Sequence, residues 1–351
     1  MLRQALLHIN FFFAYPIYSM VHCFLLFLIF FIYGSNIIRS FLILYLLYVL
    51  FDSTPKSGGW NENEKIRRFA RNALPFRLMK EYLNVELVRD NSEDKVEQLD
   101  PSRPYLFLYH PHGIIGIGCN TAFTTNACNF DKLFPGIRRS VCTLNASFLV
   151  PFYREWMLAN GLISANKKTI VRQLNEGKSI VLVPGGASEA LLTHPGQYVI
   201  VLKKRKGFIR LALSTGKDMF PSYFQNYFIL SYILHTIGAS IIPTFGFGEN
   251  DIFHTLREKS SNDHYINGVL FKIQMKAKQI LTFSLPIATH IFPERDRISV
   301  VVGSPITVPL IPDPSEKEVE KYHALYCSSI HKLFENNKRK YGKGNIALKI
   351  I

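Results

Sequence analysis

The chain has 351 residues, 48% of them apolar, and 41 lysines and arginines against 26 acids give it a formal net charge of +15 at pH 7. This composition excludes intrinsic disorder, because it can bury a sizeable core, and the lack of uncharged stretches of spanning length over most of the chain argues against a polytopic transporter. The five cysteines have no Cys-x-x-Cys spacing, so a disulfide framework and a zinc finger are both poor interpretations and a reducing, cytosol-facing compartment fits better.

The first 51 residues carry two formal charges, Arg3 and Arg39. Residues 14–33 are uncharged and long enough for about 30 Å of helix, and after Gly34-Ser35-Asn36 a second apolar run continues to residue 51. A secretory signal peptide is a poor alternative, because the run is too long and lacks a small-residue cleavage site. The pattern predicts a membrane-embedded helical hairpin over residues 1–51, with Arg39 extending to the membrane surface. A single span is the alternative.

Residues 52–59 are polar and rich in helix breakers, as expected where a chain leaves the membrane. The spacing over residues 61–83 then predicts one helix, with Ile66, Phe69 and two alanines on one face and basic residues around them. A basic amphipathic helix just after an anchor suits an anionic membrane surface, and a solvated helix face is the alternative.

From residue 104 onward, short apolar strands alternate with helices that end at glycines. This alternation predicts an α/β domain over residues 52–351, with a mixed, largely parallel sheet flanked by helices. The C-terminal helix has the clearest start, a capping box formed by Ser315 and Glu318. The predicted strands are residues 105–109, 141–144, 179–183, 198–202, 240–245 and 298–302, and the predicted helices before the last are residues 150–160, 169–176 and 208–215.

The motif His110-Pro111-His112-Gly113 follows directly on the first of these strands. Proline biases the residue before it toward the extended region, so both imidazoles can lie on one side of the chain. A histidine between a strand and a helix start combines a base near neutral pH with free amides that can hold an oxyanion. The motif therefore predicts the catalytic centre. A metal site is a poor alternative, because no further ligand lies at a recognisable spacing, and no metal is predicted.

A second motif, Gly185-Gly186-Ala187-Ser188-Glu189, joins a strand to a helix. Its two glycines allow close approach of a ligand. Glu189 is the candidate partner that orients a catalytic histidine, and a carboxylate complementing the helix dipole is the alternative. The motif is also close to Gly-x-Ser-x-Gly, the nucleophile elbow of serine hydrolases. A serine esterase or lipase using Ser188, with Asp251 and His290 as triad candidates, is therefore an alternative function.

Two further segments predict ligand contacts. Four consecutive basic residues precede a helix and suit a phosphate-rich ligand such as coenzyme A or a lipid head group, a solvated cluster being the alternative. No nucleic-acid motif accompanies them, so nucleic acid is not expected as a partner. A glycine-rich strand end lies where α/β proteins bind ligands. The candidate residues of these two segments are Arg205, Lys206, Gly207, Glu249 and Asn250.

In this order, the motifs resemble the diacylglycerol/monoacylglycerol acyltransferase family of the second (non-MBOAT) kind, from the hairpin to about residue 341. The resemblance implies a glycerolipid-acyltransferase-like fold in the endoplasmic reticulum membrane, with the catalytic domain facing the cytosol and the lipid-droplet surface as a further location. The matching pieces are Phe51-Asp52, Thr54-Pro55, Gly58-Gly59, Tyr109-His110-Pro111-His112-Gly113, Phe134-Pro135-Gly136-Ile137-Arg138, Gly185-Gly186-Ala187-Ser188-Glu189, Arg205-Lys206-Gly207-Phe208, Phe247-Gly248-Glu249-Asn250 and Val301-Val302-Gly303-Ser304-Pro305-Ile306.

The resemblance also implies the chemistry. Acyl-CoA is the co-substrate, no cofactor is needed, and the acyl group passes to an acylglycerol hydroxyl: diacylglycerol first, with monoacylglycerol or a fatty alcohol as alternatives. The family's catalytic centre maps onto the motif at residues 110–113. We take His112 as the first candidate for the base and His110 as the second, with oxyanion donors after Gly113 or at Gly185-Gly186. Phe41-Leu42-Ile43-Leu44 resembles the family's lipid-binding pattern.

Three departures from related patterns matter. Glycerol-phosphate acyltransferases pair their histidine with an Asp five residues on, where this chain has Ile115 and Ile117. An orienting carboxylate must therefore come from elsewhere, and Glu189 is the candidate. Residues 282–297 lack the family's Gly-Arg-Gly segment, which makes an inactive lipid-binding protein a third alternative. Residues 217–238 interrupt a connection that is usually short, as a membrane-dipping insertion or a retained intron.

Overall fold

The computed structural model describes residues 16–60, 64–91, 98–215, 238–255, 272–274, 276, 288–290 and 292–351. The predicted insertion at residues 217–238 lies outside the described residues except for Gly238, and so does the first part of the segment 282–297.

A seven-stranded sheet forms the centre of the molecule, in the order β1-β8-β7-β2-β5-β3-β4. Neighbouring strands are parallel except for the antiparallel pair β7 and β8. This confirms the predicted α/β fold with a mixed, largely parallel sheet. The strands are β1 Val85–Arg89, β2 Tyr105–His110, β3 Arg139–Thr143, β4 Leu162–Ser164, β5 Ser179–Leu182, β6 Tyr198–Ile200, β7 Ser240–Phe247, β8 Ile298–Val302 and β9 Leu348–Ile350.

Three strands, β1, β4 and β9, were not predicted from the sequence. A fourth strand, β6, was predicted but belongs to a different sheet from the expected one. β4 and β9 have three residues each, and β1 carries Glu86 and Arg89 among its apolar residues, so none shows a clear apolar run. The strand predicted at residues 198–202 forms as β6, but it pairs with β9 in a separate two-stranded sheet. A short apolar run identifies a strand and not its partner.

Helices cover both faces of the main sheet. The apolar cluster on one face includes side chains of α5 and α8, with α1 packed against it, and the cluster on the other face includes side chains of α9, α11 and α12. The helices are α1 Pro16–Tyr33, α2 Asn36–Phe51, α3 Thr54–Ser57, α4 Glu64–Arg71, α5 Leu74–Leu83, α6 Ile117–Cys119, α7 Phe130–Leu133, α8 Tyr153–Ala159, α9 Lys167–Asn175, α10 Gly186–Leu192, α11 Gly207–Ser214 and α12 Glu316–Asn337.

The single helix predicted over residues 61–83 is two helices, α4 and α5. Ala73 is not helical, and Pro75 lies in the first turn of α5. In one continuous helix, Pro75 would have no N–H to donate to the carbonyl of Arg71 and its ring would clash with that carbonyl, whereas proline fits the first turn of a new helix, which explains the break.

Helices α1 and α2 pack against each other across a short turn. Ser35 caps α2 by accepting a hydrogen bond from Ile38 N. Arg39 was expected to extend to the membrane surface, but its guanidinium donates to the carbonyls of Phe31 (2.9 Å) and Ile32 (2.8 Å) and so satisfies the C-terminus of α1. By length and composition, the stretch Asn36–Ser57 is long and apolar enough to cross a membrane, and α1 is shorter.

This pair of helices is fastened to α8 of the α/β domain. The Tyr45 hydroxyl donates to Glu155 Oε2 (2.5 Å) and accepts from Phe152 N (2.9 Å). The buried Arg154 guanidinium pairs with Asp52, just after α2, and with Glu155. A buried arginine left without one of its carboxylates is strongly destabilising, so these contacts hold the helix pair at a defined place on the domain.

The described residues on either side of the segment 217–238 lie close together at the end of α11. Helix α11 ends at Ser214 with Thr215 as its C-cap, and the N–H of Ala239 donates to Ala212 O at 3.0 Å. In a Schellman cap, this bond to the third-last helical carbonyl comes from the second residue after the C-cap. Ala239 therefore takes the place that residue 217 would hold in an uninterrupted chain.

We predict that deleting residues 217–238, which joins Gly216 to Ala239, leaves the fold intact. The cap bond to Ala212 can still form and a long loop closure is removed, so the thermal unfolding midpoint in detergent should be equal or higher. In the shortened chain, Ala239→Pro removes the donated N–H and should lower that midpoint. An unfolded or aggregated deletion variant would show that the segment is integral. Sequencing the transcript across this junction tests whether the segment is a retained intron: if every transcript encodes residues 217–238, it is not.

Candidate active site

The histidine motif lies at the C-terminal end of the central strand β2. The strands on either side, β5 and β7, run parallel to β2, so the segments that follow all three strands meet at one edge of the sheet. The segment after β5 carries Glu189, and the segment after β7 carries Glu249. This edge is where ligands bind in α/β sheets.

Glu189 holds both histidine residues of the motif. Its Oε1 lies 2.9 Å from His110 Nδ1, and its Oε2 accepts from the backbone N–H of His112 at 2.9 Å. Oε1 also accepts from Val201 N at 2.9 Å. A Cβ at Gly185 would lie 1.9 Å from Glu189 Cδ, so only glycine fits at that position. The absence of a side chain at Gly185 thus makes room for the carboxylate of Glu189.

The two imidazoles differ in exposure. The His110 ring is fully buried, its Nδ1 proton goes to Glu189, and its Nε2 has no hydrogen-bond partner among the described residues. The His112 ring is half-buried, and its Nδ1 lies 3.0 Å from Gly113 O. A carbonyl oxygen can only accept, so Nδ1 of His112 carries the proton and its Nε2 presents a lone pair. Glu189 therefore contacts the His110 ring, while Gly113 sets the tautomer of His112.

Glu249 holds the same turn from the other side. Its carboxylate accepts from Tyr109 Oη (2.6 Å) and from the backbone N–H groups of Ile117 and Gly118 (both 2.7 Å). Burial raises the pKa of Glu249 to about 7, against the lowering effect of these three donors. The sequence placed Glu249 against a ligand, but the carboxylate is fully buried and caps the helix that follows the histidine motif.

Glycines make space for this second buried carboxylate and its tyrosine. A Cβ at Gly246 would lie 2.1 Å from Tyr109 Oη, and one at Gly118 would lie 2.4 Å from the same atom. Gly113 has a φ of 62°, and a Cβ there would lie 2.8 Å from Glu249 Cγ. The Tyr109–Glu249 pair was missed from the sequence. The only signal for it was that Tyr109 stands next to the histidine motif.

The other candidate ligand contacts lie around this centre. Arg205 is exposed, and its Nη2 donates to Ser188 Oγ at 3.2 Å, one residue before Glu189. Lys206 pairs with Glu320 at 2.9 Å, and Gly207 begins α11. Asn250 is buried and donates to Gln197 O at 2.8 Å. The basic residues are thus beside the site, whereas the Asn250 amide is used inside the fold.

The three candidates for a serine triad have other hydrogen-bond partners. Ser188 lies inside α10, away from the sharp turn of a nucleophile elbow, and its hydroxyl accepts from Arg205. Asp251 accepts from Tyr198 Oη at 3.1 Å and pairs with a lysine. His290 Nδ1 lies 2.6 Å from Phe292 O. Ser188, Asp251 and His290 are thus each bound to groups outside the proposed triad.

Within the part of the chain that the structure describes, one cluster has side chains suited to a metal ion: His254, His290 and Glu294. Its groups already bind one another. His254 Nε2 pairs with Glu294 at 3.2 Å, and His290 Nε2 accepts from the backbone N–H of His254 at 3.2 Å. With both ring nitrogens of His290 engaged, we assign the cluster no metal.

We predict that Glu249 makes stability depend on pH. Its carboxyl has a pKa of 4.5 when unperturbed and about 7 in the fold, so the folded chain binds this proton more tightly. The contribution of Glu249 to the free energy of unfolding is therefore fully present below pH 4.5 and is lost as the pH rises to 7. Glu249→Gln cannot ionise, so its unfolding midpoint should rise relative to wild type over that interval.

Glu86→Gln serves as the control. Burial alone would raise the pKa of Glu86, but hydrogen bonds from Ser299 and Arg297 outweigh it and lower that pKa. The stabilisation from Glu86 is therefore retained above the unfolded pKa, and its loss should not reproduce the effect of Glu249→Gln. Thermal unfolding across the pH range measures both variants. If the unfolding midpoints of wild type and Glu249→Gln changed with pH in parallel, the prediction would be contradicted.

Comparison with known proteins identifies the family. The profile of the diacylglycerol acyltransferase family matches residues 28–229 and 230–350, two pieces that meet within the segment 217–238. The chain is 35% identical over 309 residues to diacylglycerol O-acyltransferase 1 of Schizosaccharomyces pombe, covering 85% of this chain and 79% of that protein. It is 33% identical to diacylglycerol O-acyltransferase 2 of Mus musculus, covering 86% of this chain and 71% of that protein.

Among solved structures, the 1-acyl-sn-glycerophosphate acyltransferase PlsC of Thermotoga maritima aligns with 91% of this chain and 97% of its own, at 9% identity and a TM-score of 0.38. That likeness is too weak to carry an argument. The family profile and the sequence relatives confirm the resemblance that the motifs indicated. The chain belongs to the diacylglycerol acyltransferase family, of the non-MBOAT kind, and is an enzyme of that family.

Proposed function

We propose that the protein transfers an acyl group from acyl-CoA to the free hydroxyl of diacylglycerol and so forms triacylglycerol. The observation that carries this proposal is the half-exposed His112, whose Nδ1 proton is bound to Gly113 O and whose Nε2 is left as a base beside the carboxylate-held turn. Family membership supports the substrate classes. The apolar helix pair supports a location in the endoplasmic reticulum membrane, with the α/β domain toward the cytosol.

In the reaction, His112 Nε2 removes the proton of the acceptor hydroxyl as its oxygen attacks the thioester carbonyl. The resulting imidazolium keeps its Nδ1–H bond to Gly113 O. The tetrahedral intermediate collapses with cleavage of the carbon–sulfur bond, and coenzyme A leaves as a thiolate that can take the proton back from His112. Ester and free thiol are then the products, and the imidazole returns to its starting tautomer.

The oxyanion needs donors that the fold has not already used. The amides of Ile117 and Gly118 are bound to Glu249, so they are unavailable. We assign the role to amides at Gly113 or at the start of α10, at Gly185 and Gly186. A Cβ at Gly186 would meet nothing within 4 Å, so the space in front of that residue is open to a substrate, and amides at a helix start point outward.

Glu189 acts in this scheme as a positioning residue for the whole turn. It fixes the His110 ring through Nδ1 and the backbone of His112 through its N–H. His110 has no exposed surface, so it cannot meet an acceptor hydroxyl without movement. It supports the base and does not replace it.

The donor is expected to place its phosphates at the basic cluster. Lys203, Lys204 and Arg205 are exposed, and the contact of Arg205 with Ser188 puts the cluster next to α10. Guanidinium groups bind phosphate through paired N–H donors, and lysines supply point charges. The thioester then lies toward the histidine turn while the nucleotide end of coenzyme A lies over the cluster.

The acceptor is tested by giving membranes that contain the protein labelled oleoyl-CoA with diacylglycerol, monoacylglycerol or a fatty alcohol. We expect labelled triacylglycerol to be the main product. Control membranes carry the His112→Ala variant. A wax ester or diacylglycerol as the main product would assign another acceptor, and absence of any labelled ester would support an inactive lipid-binding protein.

The base is tested by substitution within the motif. His112→Ala should lower acyl transfer by roughly 100-fold or more, the usual effect of losing a general base. His110→Asn can still donate a hydrogen bond to Glu189, and we expect it to retain more activity than His112→Ala. The reverse order would make His110 the base. Product formation per folded protein, in membranes with equal expression, is the measurement.

Ser188→Ala separates the transferase from a serine hydrolase. The transferase mechanism predicts near wild-type activity for Ser188→Ala and no labelling by a fluorophosphonate. Loss of activity in Ser188→Ala together with labelling of the wild-type chain would establish the esterase instead.

A further inference from the structure

Helix α4 places two of its three arginines, Arg67 and Arg71, inside the protein and its large apolar side chains outside. Arg67 and Arg71 are 9% and 4% exposed, whereas Ile66 and Phe69 are 42% and 83% exposed. Leu74, three residues after the helix, is also exposed, at 64%. The sequence had placed Ile66 and Phe69 together on one face of a basic amphipathic helix suited to an anionic membrane surface, and the structure leaves both side chains exposed.

The inward orientation is fixed by hydrogen bonds. Arg71 Nε donates to Asn160 O at the C-terminus of α8 (2.9 Å), and its Nη2 donates to Arg139 O (3.1 Å). In return, Asn126 N donates to Arg71 O at 2.9 Å. Rotating α4 to bury Phe69 would remove these bonds and leave buried carbonyls without a partner, which is costly. The outward position of the apolar residues is therefore built into the fold.

Exposing Ile66, Phe69 and Leu74 to water is energetically unfavourable. Each Å² of apolar area left in water forgoes about 25 cal/mol, and here an aromatic and two aliphatic side chains follow one another over a short stretch. Three exposed cations accompany them: Lys65, Arg68 and Arg77. Apolar side chains among basic ones are the composition of helices that lie in the interface of an anionic bilayer.

The position of α4 in the fold indicates which environment its exposed apolar side chains contact. The membrane helix α1 packs against α8, and α4 packs against the same helix. Helix α4 also begins shortly after the end of α2 and α3 in the chain. Because both pack against one seven-residue helix, the exposed apolar residues of α4 lie near the apolar hairpin, and an anionic lipid bilayer is the occupant that this position favours.

We propose that Ile66, Phe69 and Leu74 form a lipid-contact surface that seats the α/β domain on the bilayer. The apolar side chains enter the boundary between head groups and acyl chains, about 5–10 Å deep. Lys65, Arg68 and Arg77 lie against lipid phosphates. The domain is thereby held at the membrane at a second place, apart from the hairpin.

The test uses the full chain reconstituted in vesicles of phosphatidylcholine and phosphatidylserine. Phe69→Trp adds a fluorophore on the proposed surface, and Leu325→Trp adds one on α12, at an apolar position that is 46% exposed on the opposite face of the sheet. Emission of the parent chain is subtracted in each case. Phospholipids brominated near the head-group end or near the methyl end of their chains quench a tryptophan at the matching depth.

We expect the added emission of Phe69→Trp to fall by roughly half with bromine near the head groups and by less with bromine near the methyl ends, as for an interfacial side chain. Leu325→Trp should lose little with either lipid. Equal quenching of the two variants would overturn the proposal. Weak quenching of Phe69→Trp by both lipids would also overturn it, because residues 1–15 or a second copy of the chain would then cover this surface in place of lipid. If Phe69→Trp does not fold, Leu74→Trp gives the same readout with the same two outcomes.

Discussion

The site depends on one buried carboxylate. Glu189 reaches from the first turn of α10 to the His110 ring, the His112 backbone and Val201 N. A buried carboxylate is costly unless donors surround it, and these three donors come from two separate segments, the histidine motif and the chain at Val201. The hydrogen bonds that offset the cost of burying Glu189 therefore also hold the histidine turn against α10. Position 185 must be glycine, because a side chain there would occupy the space of the carboxylate.

A second buried carboxylate, Glu249, supports the turn from the other neighbouring strand. Because β5 and β7 flank β2 in parallel, each delivers its acid to the same end of β2. Glu189 holds the start of the turn, and Glu249 holds the helix that follows it. The arrangement gives His112 an oriented ring with a lone pair on Nε2 while both acids stay out of solvent. The proposed role of His112 as a base requires rigid support of this kind.

The hairpin and α4 give one part of the molecular surface an apolar character. The hairpin and α4 both pack against α8, and both present apolar side chains outward, whereas charged groups such as Arg154 and Arg71 are buried where they meet carboxylates or carbonyls. This inversion is expected for a protein side that faces lipid, since bilayer hydrocarbon does not reward apolar burial as water does. The partners that we propose for the basic residues are anionic in both places, a thioester donor at the site and lipid at α4.

The sequence by itself determined the α/β class, the apolar hairpin, most of the strands and the histidine motif, because periodicity, capping residues and short motifs are local signals. It also indicated Glu189, since a carboxylate in the first turn after two glycines is a local feature. Only the tertiary structure decided which ring Glu189 touches, that Glu249 is a buried cap, that β6 lies outside the main sheet and that α4 turns Arg67 and Arg71 inward. Each of these depends on contacts between residues far apart in the chain, and no local pattern records which distant donor a buried group will find.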